Sequence, residues 1–138
     1  MDKALNYLAL ARKARLIEAG EEPVGAAARA LHARLIVVAS DASDHTWRRA
    51  KSVAAGTSQQ VLRVPFTKDE MGFALGRQEL AIAAFTDAAL AASFVKALPE
   101  PQKYQAVAEA LEVKGQRQRQ RQKEAKAHEK NVRTGKKK

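Results

Sequence analysis

The 138-residue chain contains no cysteine, which excludes disulfides and thiolate metal ligands. Its three histidines, His32, His45 and His128, are far apart and lack the spacing of metal ligands, so we expect neither a metal site nor a cofactor. No apolar run reaches the roughly 20 residues that a membrane-spanning helix needs, and the first residues lack the order of a signal peptide. These absences predict a cytoplasmic protein with one hydrophobic core and no membrane partner.

Motifs for catalysis are also missing. The sequence has no nucleotide-binding glycine motif and no nucleophile paired with a base. Gly72 and Gly76 are four residues apart, but this spacing indicates close packing at the first and a left-handed helix end at the second, not a phosphate loop. We therefore expect the protein not to be an enzyme.

Positive charge is abundant and unevenly distributed within a formal net charge of +10. Residues 1–98 contain 13 lysines and arginines against 10 acids, whereas residues 99–138 contain 12 against 5. The last part of the chain therefore carries most of the excess. Such asymmetry indicates a polyanionic partner, and nucleic acid is favoured over a membrane because the tail has almost no apolar face.

The stretch from Gly20 to Asp41 combines a turn, a helix and a strand. Glycine permits the turn, the two acids after it suit the positive end of a helix dipole, and Pro23 fits a first helical turn, so a helix is predicted from near Glu21. The uncharged run 35–39 is rich in β-branched residues and predicts a strand buried on both faces.

The rest of the chain alternates between the same two patterns. Asp2 is a helix cap, Ser43 or Asp44 caps a third helix, Thr67 and Glu70 form a capping box, and Thr86 or Asp87 caps another helix. Strands are predicted at 61–64 and 80–85, with a short strand or turn at 16–19. The alternation predicts an α/β protein with three layers, an αβα sandwich.

The chain beyond residue 98 divides into two further parts. Residues 99–115 are predicted to form a linker and a short amphipathic helix from Tyr104 to Leu111, closed by Gly115, which docks on the domain or on a partner. Residues 116–138 cannot supply a core and are predicted to be a basic, largely disordered tail. The tail residues that suit non-specific phosphate contacts are Arg117, Arg119, Arg121, Lys123, Lys136, Lys137 and Lys138.

Taken together, several segments resemble the L-seven-Ae and L-thirty-e ribosomal protein superfamily, above all its small bacterial, YlxQ-type members. They are the Gly20 turn, the strand ending in Ser40 and Asp41, the LGxAxG-like segment 71–76 and the alanine-rich strand before Thr86. The resemblance covers roughly residues 3–98, the greater part of the predicted RNA-binding domain at residues 1–98. It implies an αβα fold around a four-stranded mixed sheet, and binding of kink-turn RNA, whose tandem sheared G·A pairs bend the helix sharply.

The resemblance also implies two contact regions for this RNA. Gly20, Glu21 and Glu22 would face the G·A pairs, and Gln78, Glu79 and Leu80 would form the loop that contacts a flipped-out nucleotide. Strong kink-turn binders have Gly-x-Asn-Glu and a later lysine, whereas this chain has Glu22, Pro23 and Ala26 at those places. The changes remove an amide donor, an N–H and a phosphate contact.

The sequence is compatible with two roles for the basic residues around this turn. Arg12, Lys13 and Arg15 complement the negative end of the first helix dipole, or they form a phosphate-facing edge together with Arg29 and Arg77. The two acids are either contacts to base edges or ordinary first-turn acids.

The charge distribution predicts a nucleic-acid-binding protein, and the resemblance implies that it recognises structured, kink-turn-like RNA in a ribosome or translation context. The expected partners are structured RNA, including ribosomal RNA, and a ribosomal or translation-factor protein within a ribonucleoprotein. The alternative is a protein–protein adaptor with the same fold, whose basic tail binds RNA non-specifically.

Overall fold

The computed structural model describes residues 2–133, and the side chains of residues 2–129. Helices and strands alternate along most of this range. They are α1 (Lys3–Ala14), β1 (Ile17–Ala19), α2 (Glu21–Arg29), β2 (Leu35–Val38), α3 (Asp44–Ala54), β3 (Gln60–Arg63), α4 (Lys68–Ala74), β4 (Ile82–Phe85), α5 (Ala88–Lys96), a 3₁₀ helix (Pro101–Tyr104) and α6 (Gln105–Arg133).

Local capping chemistry explains where several helices begin. The Asp2 carboxylate accepts from the N–H of Ala4 at 2.8 Å. Thr67 and Glu70 form the reciprocal capping box at the start of α4. At the two positions where the sequence leaves a choice of cap, Ser43 caps α3 and Asp87 caps α5. The predicted caps are therefore confirmed. They could be predicted from the sequence because each involves only residues within a few positions of the helix start.

The four strands form one mixed sheet in the order β1-β4-β2-β3. β4 runs antiparallel to both of its neighbours, and β2 and β3 are parallel. Gly20, Ile82, Val38 and Arg63 lie at one end of the sheet, which we call the Gly20 end. Ile17, Phe85, Leu35 and Gln60 lie at the other, which we call the Arg34 end after the residue that precedes β2. The predicted fold class is confirmed.

Two helical layers cover the sheet. α2 and α3 pack against each other and against strands, while α1 packs with α4 and α5. β2 and β4 are buried along their whole length, as the uncharged runs predict. Phe94 is fully buried, and its ring centroid lies 5.1 Å from that of Phe85 and 6.5 Å from that of Phe66. This aromatic cluster belongs to the core of the protein.

The C-terminal part differs from its prediction. The helix that we expect to close at Gly115 continues to Arg133, so residues 116–133 are helical, not disordered. Gly115 lies within this helix, at a point where α6 passes very close to α5. An added Cβ there would stand only 3.2 Å from the Cα of Ala89, which explains why a glycine occupies the position. The residues after it are mostly good helix formers, and Gln120 donates to Glu124 one turn later at 3.1 Å. Residues 134–138 lie outside the described residues.

The apolar face of α6 is used within the chain itself. Ala108 and Leu111 are buried and belong to the same core as the sheet. Of the two docking modes predicted for this segment, the structure therefore shows docking on the domain. Among the described residues, no helix is both long enough and apolar enough to cross a bilayer.

Replacing Gln59 with alanine is expected to lower the free energy of unfolding by about 2 kcal/mol, because two buried backbone groups would lose their partner. The Gln59 side chain is buried, accepts from the N–H of Ala33 at 3.0 Å and donates to the carbonyl of Ala28 at 3.2 Å. Urea denaturation would measure the change. Gln60→Ala, at the neighbouring half-buried position, is the control and is expected to change stability by less; equal losses would contradict this role.

Candidate functional site

The turn at Gly20 joins β1 to α2 at one end of the sheet. Gly20 has a φ of 100°, which side-chain-bearing residues rarely adopt, and its N–H donates to the carbonyl of Ile82 at 3.0 Å. The first-turn N–H groups of Glu21 and Glu22 have no acceptor within the helix. The helix begins at Glu21, as the sequence predicts, and the hydrogen bond to Ile82 holds its exposed start against the sheet.

A second loop, residues 75–81, lies beside this turn. The Nη1 atom of Arg77 is 3.7 Å from the place where a Cβ on Gly20 would stand. The loop is fixed at both ends, since the Arg77 N–H donates to the carbonyl of Gly72 at 2.7 Å and the Leu80 N–H donates to that of Lys68 at 3.0 Å. The structure therefore brings together the two regions that the resemblance implies.

Members of this second loop differ in their accessibility. Gln78 and Glu79 are exposed, and their side chains are available to a ligand. Leu80 is only 5% exposed and packs in the core, because it is the apolar residue that leads into β4. Its side chain supports the loop from below and does not form part of the surface.

Arginines line a depression of about 470 Å³ on one side of the turn. Its walls include Arg12, Arg15, Arg77, Glu18 and Pro23. The guanidinium of Arg12 lies over Gly76, where an added Cβ would meet it at 2.6 Å, so the missing side chain makes room for the arginine. Arg15 ends α1 in the left-handed conformation with a φ of 60°. The depression is thus cationic, with Glu18 as the one acid among its lining residues.

A second depression, of about 410 Å³, lies on the other side of the turn. Glu21, Glu22, Arg29 and Arg49 are its charged lining residues, and apolar side chains, including Val24, Val53 and Ile82, complete its lining. It carries equal numbers of acids and bases, so it differs from the cationic depression. Gly20 stands between the two.

Glu21 is oriented by contacts with α3. Its carboxylate accepts from the Thr46 hydroxyl at 3.3 Å, and its Oε2 atom lies 3.6 Å from Nη1 of Arg49. The ion pair is exposed and adds little stability, but it directs this acid towards α3. Among the described residues, Glu22 has no such partner, so it is the freer hydrogen-bond acceptor at the turn.

Arg49 is the residue at this site that sequence reasoning misses. The helical pattern of α3 predicts that Arg48, Arg49 and Lys51 face mainly solvent, and Arg49 is indeed exposed. Its position three residues after Thr46 places both on the side of α3 that faces α2. The sequence spacing alone shows that Thr46 and Arg49 share one side of α3. It does not show that α2 is the helix that packs against that side.

Other predicted residues lie elsewhere. Lys13 is exposed in the last turn of α1 and lines neither depression. Arg117, Arg119, Arg121 and Lys123 lie on α6. Lys136, Lys137 and Lys138 lie outside the described residues. The tail and the Gly20 turn therefore carry separate groups of cations.

Trp47, on α3, lies beside the edge strand β3. The residue is half-buried, and its ring has the guanidinium carbon of Arg63 at 5.0 Å and the Lys51 Nζ at 5.2 Å from its centroid. Two cation–π contacts of this kind stabilise the edge. The ring is thus already occupied by groups of the chain itself.

The fold and this turn define a class: a three-layer α/β protein in which a glycine-started helix and a basic loop meet at one end of a mixed sheet. Solved structures share the fold. One is a protein of unknown function from Bacillus halodurans, 27% identical, with a TM-score of 0.61, covering 79% of this chain and 99% of its own. Another is the 15.5 kDa RNA-binding protein of Giardia lamblia, 16% identical, with a TM-score of 0.60, covering 75% of this chain and 85% of its own.

Comparisons of sequence alone add no further relative. No protein-family model matches the chain, and no curated protein matches it significantly. The shared fold is the one that the resemblance to the L-seven-Ae and L-thirty-e superfamily predicts.

Proposed function

We propose that this protein is a non-enzymatic RNA-binding protein of the L-seven-Ae and L-thirty-e superfamily that recognises structured, kink-turn-like RNA in a ribosomal or translation context. The observation that carries the proposal is the meeting of Gly20 and Arg77. Around this contact lie the first-turn N–H groups of α2, the Glu22 carboxylate, which has no partner among the described residues, and the cationic depression. The likeness in fold to an RNA-binding protein supports the same conclusion.

Each part of this surface has a distinct role in the proposed complex. Arg12, Arg15 and Arg77 contact phosphates, which fix the position of the RNA without reading its sequence. The N–H groups at the start of α2 donate to acceptors on the RNA. Glu22 accepts from a base-edge amino group, because a carboxylate next to a phosphate would be repelled. Recognition then depends on a bent RNA that brings a base edge and the backbone together.

The adaptor function has less support. The segment from Tyr104 to Leu111 is the candidate anchor for a protein partner, but its residues Ala108 and Leu111 are already buried in the core of this chain. A partner would have to displace α6 from α5 to reach them. RNA binding requires no such rearrangement at the Gly20 turn.

Fluorescence anisotropy with the full chain tests the proposal on two RNAs of equal length. One contains a kink-turn with tandem G·A pairs, and the other is a plain duplex. A base contact worth about 1–3 kcal/mol predicts a preference of roughly fivefold or more for the kink-turn. Equal affinities at moderate salt would contradict specific recognition.

Glu22→Lys is expected to narrow the preference for the kink-turn, because the substitution removes the acceptor and adds a cation that attracts any phosphate. Glu109→Lys is the matched control, since it makes the same change of charge at an exposed position on α6. It should raise the affinity for both RNAs equally. The same anisotropy titrations measure both variants, and indistinguishable behaviour would exclude Glu22 as a base contact.

A further inference from the structure

A second group of cations lies at the Arg34 end of the sheet, away from the Gly20 turn. Arg34 precedes β2, its N–H donates to the carbonyl of Phe85, and its carbonyl accepts from Gln60. Lys114 of α6 reaches the same end, where its Nζ donates to the carbonyl of Ser58. Arg117 follows on the next turn of α6 and is exposed. We call these three residues the Arg34 cluster.

Hydrogen bonds hold α6 in register with this end of the sheet. The Gln118 amide donates to the carbonyl of Thr86 at 3.2 Å and accepts from the N–H of Ala88 at 3.0 Å. At Gly115 the two helices are so close that an added Cβ would stand 3.2 Å from the backbone of Ala89, so α6 packs tightly on α5. The position of Lys114 and Arg117 beside Arg34 is therefore built by the fold.

Among the described side chains, no acid pairs with the positive charges of the cluster. None of the ion pairs that the described side chains form with one another includes Arg34, Lys114 or Arg117. The Nε atom of Arg34 is buried and has no hydrogen-bond partner among the described residues. The pKa of Lys114 is lowered, first by burial and then by the charges of Arg34 and Arg117. Three cations are thus held together although they repel one another.

The same charge continues along α6. Lys114, Arg117 and Arg121 are three and four residues apart, so they share one face of the helix, and Glu124 marks its end. Arg119 and Lys123 lie on the opposite face. A row of cations that runs from the sheet along a projecting helix matches a polymer with regularly spaced negative charges better than it matches a single small anion.

We propose that the Arg34 cluster and Arg121 form a second binding surface for an RNA phosphodiester backbone, separate from the Gly20 turn. This inference rests on the RNA-binding function proposed above. The two ends of β2 are about 10 Å apart at the usual rise per residue, so no single phosphate contacts both surfaces. The second surface holds a helical arm of the RNA at a distance from the bend and adds affinity without reading sequence.

The test compares a kink-turn RNA with long arms and the same RNA with its arms shortened. Arg34→Gln with Arg117→Gln is expected to weaken binding of the long-armed RNA about tenfold at low salt and to reduce the slope of log K against log salt by roughly 1.5–2. Binding of the short-armed RNA should change less than twofold. The matched control is Arg119→Gln with Lys123→Gln, which removes the same charge from the opposite face of α6.

The outcomes separate this proposal from the one on which it rests. Equal losses in both variant pairs, or equal losses on both RNAs, would overturn the second surface while leaving the Gly20 site in place. Failure of the unsubstituted protein to bind either RNA would overturn both proposals. Arg117→Glu alone, at an exposed position, repeats the comparison without altering the domain, and unchanged binding of the long-armed RNA would again reject the surface.

Discussion

Gly72→Ala is expected to lower the free energy of unfolding by about 3 kcal/mol, one of the largest effects of a single methyl group in this chain. A Cβ at this position would stand 2.6 Å from the Cα and 2.8 Å from the nitrogen of Glu79. These are backbone atoms, which a side-chain rotation cannot move away. The loop 75–81 would have to shift as a whole, so affinity for RNA should fall together with stability. Thermal and urea unfolding measure the first effect, and anisotropy measures the second.

Gly25→Ala is the control for this prediction. It also adds a methyl group to a helical glycine, but the nearest atom would be the end of the flexible Arg29 side chain at 3.2 Å. Alanine has the higher helix propensity, so this variant is expected to be more stable by about 0.5–1 kcal/mol. A Gly72→Ala protein as stable as the unsubstituted chain would show that the loop is not packed against α4 as described.

Arg12→Glu combined with Arg77→Glu is expected to weaken binding of kink-turn RNA on the order of 100-fold. Each substitution removes a charged hydrogen bond worth about 1.5–3 kcal/mol and places a carboxylate near the backbone phosphates. Both side chains are exposed, so the fold should be retained, which circular dichroism and thermal unfolding would verify. The expected effect is large because both arginines line the same depression beside Gly20.

Arg119→Glu combined with Lys123→Glu changes the net charge by the same amount on an exposed face of α6. This pair should weaken binding only through the general loss of positive charge, which decreases as salt screens it. The difference between the two pairs should therefore persist at moderate salt. Identical losses at every salt concentration would mean that charge alone, and not the cationic depression, holds the RNA.

The sequence by itself determined the local features of this protein. Asp2, Thr67 and Glu70 identify helix starts because capping involves groups only two or three residues apart. The run 35–39 identifies a buried strand because its composition suits no exposed position. Gly76 identifies a left-handed helix end, and its φ of 72° confirms it. These local signals together predict the order of the helices and strands along the chain and the layered fold class.

Only the tertiary structure decided which distant residues meet. Arg49 contacts Glu21 because α3 packs on α2, and Arg77 reaches Gly20 because the loop before β4 lies next to β1. Neither contact has a local signature, since the groups are far apart in sequence and are joined by the packing of whole elements.

The same reason explains α6. Its polar composition predicts disorder for an isolated chain, but contacts of Gly115 and Gln118 with α5 and the preceding strand end hold it to the domain. Packing thereby carries Lys114 and Arg117 to Arg34, about 80 residues earlier in the chain. The sequence shows that the cations are present, whereas the fold decides that they form two separate surfaces at opposite ends of one sheet.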